Sequence, residues 1–262
     1  MDISIVIVNY KSKDLTLNCL KSIKQADWFG LAYEIIVVDN YSADLSSDDL
    51  RPFGEIKYIM NGRNIGFGAA NNQGIRLAKG KYVIIMNPDT VASKGVFKKL
   101  YDYLESNLAV ALVGPKQFNP DGSEQETCFR WPSFLTPIYR RTPLGKISLA
   151  KKDLDRFLYK DYNKGSLKEV DWLLGSFLFC RAEALRRVGA FDEKFFLYFE
   201  DTDLCRRFWQ MGYRVVYNPE ADIIHNHRRQ SATAPWYKFF TSITTWHHIF
   251  SWFRYLKKWG TR

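Results

Sequence analysis

Apolar and polar positions along the chain alternate between short β-branched runs and helical stripes. Ile3 to Val8 (ISIVIV) is a continuous apolar run, the pattern of a strand covered on both faces, and Asn9 and Tyr10 stand at its carboxyl end. Leu15, Cys19, Leu20 and Ile23 then recur at helical spacing, and a second run, Glu34 to Val38, ends in Asp39. Strand, helix and strand at this spacing predict a βαβ unit with a right-handed crossover. Ligands of open parallel sheets bind beyond the carboxyl ends of the strands, so Asn9, Tyr10 and Asp39 are expected at one crevice. Ile56 to Met60 gives a third strand, and NGRNIGFGAANNQGIRLAKG leads from it into a helix holding Ile75, Leu77 and Ala78. Tyr82 to Met86 (YVIIM) is a fourth strand running into Asn87, Pro88, Asp89 and Thr90, and Val110 to Val113 is a fifth. Asn119 to Gly122 (NPDG) is a turn able to join a short hairpin.

The pattern breaks from 130 to 167, where three prolines, many aromatic residues and a basic excess describe a long, mobile excursion over the mouth of a site or an ordinary surface insertion. Order returns at Trp172. FEDTDLCRR places Glu200, Asp201 and Asp203 at the start of a helix whose inner face is Leu204, Phe208 and Met211, and Gly212 ends it. On the strand that follows, His225 and His227 sit two apart and share one face. The tail from Pro235 to Lys258 carries Trp236, Phe239, Phe240, Ile243, Trp246, Phe250 and Phe253 at helical spacing, with Lys238, Arg254, Lys257 and Lys258 at its edges. Such a stripe either lies in the headgroup region of an anionic membrane or packs on the domain before it. On both readings His247 and His248 are surface or interface residues, not ligands. The expected organisation is an α/β domain over 1–231, with a mostly parallel central sheet flanked by helices and an insertion at 130–167, followed by a basic aromatic helical tail at 232–262.

Composition narrows the partners. At 262 residues, 46% hydrophobic and 25% charged, the chain has the make-up of a globular protein and not of a disordered one. Its net charge of +10 calls for an anionic partner: nucleic acid, a phosphate-bearing substrate or an acidic lipid surface. Cys19, Cys128, Cys180 and Cys205 are scattered, which suggests neither a zinc knuckle nor a disulfide framework but reduced cytoplasmic thiols. The first residues enter a strand without the basic start and cleavage site of a signal peptide, and no apolar run reaches bilayer-spanning length. A cytoplasmic protein that touches a membrane from that side is expected.

Three stretches carry chemistry. Acidic groups at a helix N-terminus gain from the positive end of the dipole, which favours the ionised form that a base needs; the structural alternative is a capped helix with Asp203 paired to Arg207. Asp89, at the end of a central strand, suits a divalent cation with oxygen ligands completed by diphosphate, water or a histidine; alternatively it caps a helix starting near Ser93. Gly66 and Gly68 are expected to let a phosphate-bearing ligand approach the backbone, or simply to make a turn before a core helix. With Asn71 in the place of a third glycine, and after the third strand instead of the first, that stretch is a weak dinucleotide fingerprint.

Taken in order, VIVNYKS, VVDNYS, NIGFGAANNQGI, MNPDT, VGAFDEKFFLYFEDTDLCRR and NPEADIIHNH resemble the family 2 glycosyltransferases, inverting enzymes of the GT-A fold. Within that family the chain is most similar to bacterial rhamnosyltransferases of cell-surface polysaccharide assembly, and the resemblance runs from Ile3 to Ser231. It implies that Val8, Asn9 and Tyr10 cradle a nucleotide and that Asp39 accepts the imide hydrogen of uracil or thymine, with guanine also open. Asn64 and Asn71 would line the nucleotide and diphosphate; many relatives have Arg in place of Asn71, which leaves phosphate neutralisation to the metal or another basic residue. The family's Asp-x-Asp motif appears as Asn87-Pro88-Asp89, so Asn87 would face the nucleotide sugar and Asp89 would be the main protein ligand of Mg2+ or Mn2+. His225, or failing that His227, matches a histidine that some relatives add to the coordination sphere. Asp201 is the implied general base, with Glu200 beside it. Gly175 and Trp172 match positions near the donor and acceptor sugars, although Trp172 suits a core equally well.

The implied activity is metal-dependent inverting transfer of a sugar, L-rhamnose from dTDP-rhamnose or another hexose from a UDP or GDP donor, to a lipid-linked or polysaccharide acceptor. No nucleic-acid partner is implied, and the oligomeric state is left open. Two other classes compete: a nucleotidyltransferase or Rossmann oxidoreductase, which leaves FEDTD and HNH without a task, and a non-catalytic basic module that binds nucleic acid.

Overall fold

The computed structural model of the protein describes residues 1–226 and 243–260; His227, Trp236, Lys238, Phe239 and Phe240 lie outside the described residues. In chain order the elements are β1 (Ile3–Asn9), α1 (Lys13–Gln25), β2 (Tyr33–Asp39), α2 (Ser47–Leu50), β3 (Ile56–Met60), α3 (Phe67–Leu77), β4 (Tyr82–Met86) and β5 (Thr90–Ala92). Then come α4 (Val96–Ser106), β6 (Val110–Phe118), β7 (Cys128–Phe129), α5 (Thr136–Arg141), α6 (Ser148–Phe157), β8 (Lys168–Glu169), β9 (Trp172–Leu173) and β10 (Phe177–Arg181). The last are α7 (Ala182–Arg187), α8 (Glu200–Gln210), β11 (Arg214–His225) and α9 (Ile243–Trp259).

Nine strands form one sheet in the order β3-β2-β1-β4-β10-β6-β11-β5, with β8 beside β11. The unbroken apolar runs of β1 and β4 follow from cover on both faces. Ile3, Ile5 and Ile7 pack with Cys19, Leu20 and Ile23 of α1 and with Phe97 and Leu100 of α4, while Val6 points the other way, into the layer that holds Leu204 and Phe208 of α8. β3, β2, β1 and β4 pair in parallel, as expected. Beyond them β6 and β11 also pair in parallel, while β10 runs antiparallel between β4 and β6. The sheet is therefore mixed. The chain turns away from β1 in opposite directions to reach β2 and β4, which opens a crevice beyond the carboxyl ends of β1 and β4, where open α/β sheets bind ligands.

Several expectations need correction. Residues 130–167 are not a loose excursion: they hold α5 and α6, and Phe157 and Tyr159 enter the core beside Phe129. Asp153 binds the hydroxyls of Ser133 and Thr136 at 3.0 and 2.7 Å, which ties the two helices together. Met211 is 53% exposed, because α8 stops at Gln210 and the chain turns at Gly212. The NPDG turn does join a hairpin, with Phe118 bridged to Glu124 and Gly122 N–H donating to the Asn119 carbonyl at 2.9 Å.

Helix α9 packs one face on the domain. Trp252 and Tyr255 are buried against Phe195 and Phe199, and Ser251 Oγ donates to the Leu197 carbonyl at 2.8 Å. Asp203, fully buried, is the polar anchor: Arg207 Nε donates to its Oδ2 at 2.8 Å, and Lys258 Nζ and Trp259 Nε1 meet its Oδ1 at 2.7 and 2.8 Å. Removing one partner of a buried ionic cluster strands the others at a cost of several kcal/mol. Asp203→Ala is expected to lose about 3 kcal/mol of stability, read as a lower urea midpoint, and to expose residues 243–259 to limited proteolysis. An unchanged midpoint with an uncut tail would refute the anchor.

Candidate active site

The crevice is built from the ends of β1, β2 and β4 and from the turn that opens α8. Asn9 and Asp39 are opposite each other in the β1–β2 register, and Asn9 Nδ2 donates to Asp39 Oδ2 at 2.7 Å. The same amide reaches Asp44 Oδ1 at 2.9 Å, and Asp39 Oδ1 accepts the Ser42 N–H at 2.7 Å. Asp39 is fully buried, with both oxygens engaged by the chain, so it shapes the 39–44 turn that carries the exposed Tyr41. Tyr10 is exposed on the facing turn, whereas the Val8 side chain is packed against Val38 and Ala70. Asn64 Oδ1 accepts from Asn40 Nδ2 and from Gly66 N–H, both at 2.9 Å, and so sets the loop before α3. Asn71 is buried within α3 and donates to the Phe67 carbonyl at 3.0 Å.

Two assignments change here. Gly66 has φ +92°, and a Cβ there would lie 2.6 Å from the Phe196 carbonyl oxygen; at Gly68 it would lie 3.1 Å from Phe191 Cβ. These glycines admit the chain before α8 and not a ligand. Trp172 belongs to the core: it is stacked on Phe129 at 4.4 Å, and its indole N–H is satisfied by the Arg130 carbonyl at 3.0 Å.

One two-residue segment joins the carboxylates. Asn87 N–H donates to the Ser176 carbonyl at 2.8 Å, and the next residue back, Gly175, donates its N–H to Asp201 Oδ2 at 2.9 Å. A Cβ on Gly175 would meet Asp201 Cβ and Oδ2 at 3.2 Å, tight enough to push the carboxylate away. Asp201 Oδ1 accepts the Thr202 N–H at 2.7 Å, so both oxygens are held by donors at the positive end of α8. The turn before them is strained: Tyr198 and Phe199 have φ of +71° and +66°.

Burial raises the Asp201 carboxyl above the ordinary aspartate range, against the pull of the Gly175 and Thr202 donors. Glu200 is pushed well above the glutamate range by burial and then by the Asp201 charge, and its Oε2 has no hydrogen-bond partner. The donors oppose the rise at Asp201, whereas the Asp201 charge adds to the rise at Glu200.

Asp89 does not cap the next helix, because α4 starts at Val96 behind Gly95. It leads instead into β5, whose antiparallel pairing with the end of β11 sets Thr90 opposite His225. His225 Nε2 lies 3.4 Å from Asp89 Oδ1, and Asn226 N–H donates to the Asp89 carbonyl at 2.7 Å. Asp89 Oδ1 and Asn87 Oδ1 are both buried without a hydrogen-bond partner. Among the described residues no group of three or more His, Cys, Asp or Glu side chains could hold a metal ion. An orphaned carboxylate oxygen facing an imidazole nitrogen fits a divalent cation that draws its remaining ligands from a diphosphate.

Sequence reasoning missed Gln117, Gln125, Ser42, Asp44, Ser176 and Thr202. Only Ser42, inside VVDNYS, and Thr202, inside FEDTD, stood in a motif already singled out.

The fold, an α/β sheet with a held carboxylate on the turn beside its switch point, is that of the GT-A glycosyltransferases. The chain belongs to glycosyl transferase family 2, whose family model matches residues 4–160. It is 30% identical over 232 residues to the low-salt glycan biosynthesis hexosyltransferase Agl10 of Haloferax volcanii, covering 86% of this chain and 67% of that protein. It is 28% identical over 221 residues to the N-acetylglucosaminyl-diphospho-decaprenol L-rhamnosyltransferase of Mycobacterium tuberculosis, covering 77% and 69%. With rhamnosyltransferase WbbL of Escherichia coli it shares 28% identity over 264 residues, 97% of this chain and 92% of that one. Solved structures of GalNAc-T7 with UDP, GalNAc and Mn2+ and of the mannosyltransferase PcManGT of Pyrobaculum calidifontis with GDP-Man and Mn2+ share the fold at TM-scores of 0.66 and 0.60 and identities of 16% and 17%. The chain aligns over 88% of its own length to each and spans 44% and 58% of theirs.

The raised Glu200 carboxyl has a signature in stability. A carboxyl whose folded pKa lies above its unfolded value binds more protons when folded, so it favours folding below about pH 4 and loses that contribution as pH rises through the folded value. Glu200→Gln is expected to match the wild type near pH 4 and to melt at a progressively higher temperature than it toward pH 9. A difference in melting temperature that is flat with pH would contradict the assignment.

Proposed function

We propose that this glycosyltransferase moves L-rhamnose from dTDP-rhamnose, with inversion and with Mg2+ or Mn2+, onto a lipid-linked or polysaccharide acceptor of the cell surface. One observation carries the reading: Asp201 is held by the N–H of Gly175, beside the Ser176 carbonyl that holds the Asn87–Asp89 turn. A proton acceptor and a cation-binding carboxylate are thereby tethered to one short segment. The sugar and acceptor are supported by the names of the rhamnosyltransferase relatives in M. tuberculosis and E. coli.

In this mechanism the acceptor hydroxyl donates its proton to Asp201 while its oxygen attacks the anomeric carbon. The bond from that carbon to the diphosphate oxygen breaks on the opposite face, and the electron pair leaves with the nucleoside diphosphate. The Gly175 and Thr202 donors fix the direction of the Asp201 oxygens. Asp89 and His225 would hold the cation, which when bound stabilises charge on the leaving phosphates. Asn9, Tyr10, Asp39 and Asn64 form the wall assigned to the nucleotide, with Asp39 acting through the turn it holds.

Exposed Ile243, Phe250 and Phe253 line the outer side of α9 with Arg254 and Lys257, which supports contact with an anionic membrane surface where lipid-linked acceptors sit. No helix among the described residues is long and apolar enough to cross a membrane.

Asp201→Asn is expected to keep its metal-dependent thermal stabilisation by dTDP while turnover falls about 100- to 10,000-fold. Because burial raises the Asp201 carboxyl, the acid limb of wild-type kcat/KM is expected to fall off above the ordinary aspartate range. Undiminished turnover in the variant would refute the base, and stabilisation by UDP or GDP in place of dTDP would reassign the donor. Cosedimentation with phosphatidylglycerol vesicles is expected to be salt-sensitive and to weaken in Phe250→Ser/Phe253→Ser; binding that is absent or unaltered would refute the membrane contact.

A further inference from the structure

The hairpin that follows β6 reaches back into the site through Gln125, a buried side chain to which no motif drew attention. Its Nε2 donates to the His225 carbonyl at 2.6 Å and to Asn119 Oδ1 at 2.7 Å. Both partners accept. The first is a backbone carbonyl, and the Asn119 amide is turned by its own donation from Nδ2 to Ser123 Oγ at 2.8 Å. The orientation of the Gln125 amide is thereby fixed, and its Oε1, an acceptor only, is the atom 2.9 Å from His225 Nδ1.

Nδ1 must then carry the hydrogen, and in the neutral ring the lone pair lies on Nε2. That nitrogen faces Asp89 Oδ1 at 3.4 Å. The opposite tautomer would place an N–H against the carboxylate and close the gap with a hydrogen bond. Two lone pairs facing each other in this way would suit a divalent cation as a pair of ligands.

We propose that Gln125 is a positioning residue that locks His225 in the Nδ1–H tautomer and so makes Nε2 and Asp89 a cation-binding pair. The inference rests on the metal reading of Asp89 and His225 and adds the group that makes the imidazole a ligand. Partners of this kind behind a metal-bound histidine typically contribute a 10- to 100-fold effect on metal affinity.

Two-bond 1H–15N correlation on 15N-histidine-labelled, metal-free protein reads the tautomer directly, and titration of Mn2+ in the presence of dTDP followed by EPR reads affinity without turnover. The wild type is expected to show Nδ1–H. Gln125→Met, of similar volume but without the acceptor, is expected to shift His225 toward Nε2–H and to weaken Mn2+ binding about 10- to 100-fold. Gln125→Glu, which restores an acceptor opposite Nδ1, is expected to restore the tautomer. Nε2–H in the wild type, unchanged Mn2+ affinity in Gln125→Met, or equal loss in the Met and Glu variants would each overturn the inference. A wild type that shows Nδ1–H but takes up no Mn2+ with dTDP present would overturn the metal reading and leave the tautomer assignment supported.

Discussion

The contact between the Gly175 backbone and the Asp201 carboxylate constrains everything around it. A hydrogen bond of 2.9 Å at a place where a Cβ would stand 3.2 Å from the same side chain favours glycine, since any other residue would push the carboxylate back by a few tenths of an ångström. Through it, α8 docks on the residues that lead into β10, and β10 in turn pairs with β4, so the end of β4 and the start of α8 share one short bridge. Antiparallel β10 is thus more than a departure from a parallel sheet: its reversed direction brings Ser176 and Gly175 to the edge where β4 ends.

The turn before α8 carries the cost of this arrangement. Two successive non-glycine residues in the left-handed region cost about 1–2 kcal/mol each. Burying one large apolar side chain returns about 1.5–3 kcal/mol, and this turn buries Phe195 and Phe199 against Trp252 and Tyr255 of α9. Packing therefore outweighs strain, but only with α9 in place. Asp203 fastens the same helix from below through Lys258 and Trp259, while His247 stacks on Phe196 at 4.4 Å. His248, pushed down to about 3 by burial and then by Arg141 and Arg140, is an uncharged packing group. These histidines are interface residues, as their sequence context implied.

What the sequence disclosed follows from which forces are local. β1, β2 and β4 were legible because a strand covered on both faces must be apolar throughout, and the Asp203–Arg207 pair was legible from its four-residue spacing on a helix. β10 was not, since five residues of FLFCR say nothing about the direction of their neighbours. The glycines before α3 announced a close approach without revealing that the Phe196 backbone makes it. Trp172 was open to two readings until its burial decided for the core. Gln117, whose Oε1 accepts the Ser176 hydroxyl at 2.8 Å, and Gln125, which reaches His225 across 100 residues, look like hairpin surface until the sheet brings their partners to them.

The position of α9 in chain order bears on how the molecule is made. A chain leaves the ribosome from its N-terminus, so the sheet and the Asn87–Asp89 turn are available to fold while the last helix is still inside the exit tunnel. Until residues 243–259 emerge, the Tyr198–Phe199 turn has the Phe67 N–H on the Phe196 carbonyl and the Arg141 guanidinium on the Tyr198 ring, but not the packing of Trp252 and Tyr255. Nascent chains therefore carry the ends of β1, β2 and β4 before the turn that leads to Asp201 has its full packing, and the order of synthesis sets the order in which the two sides of the site are completed.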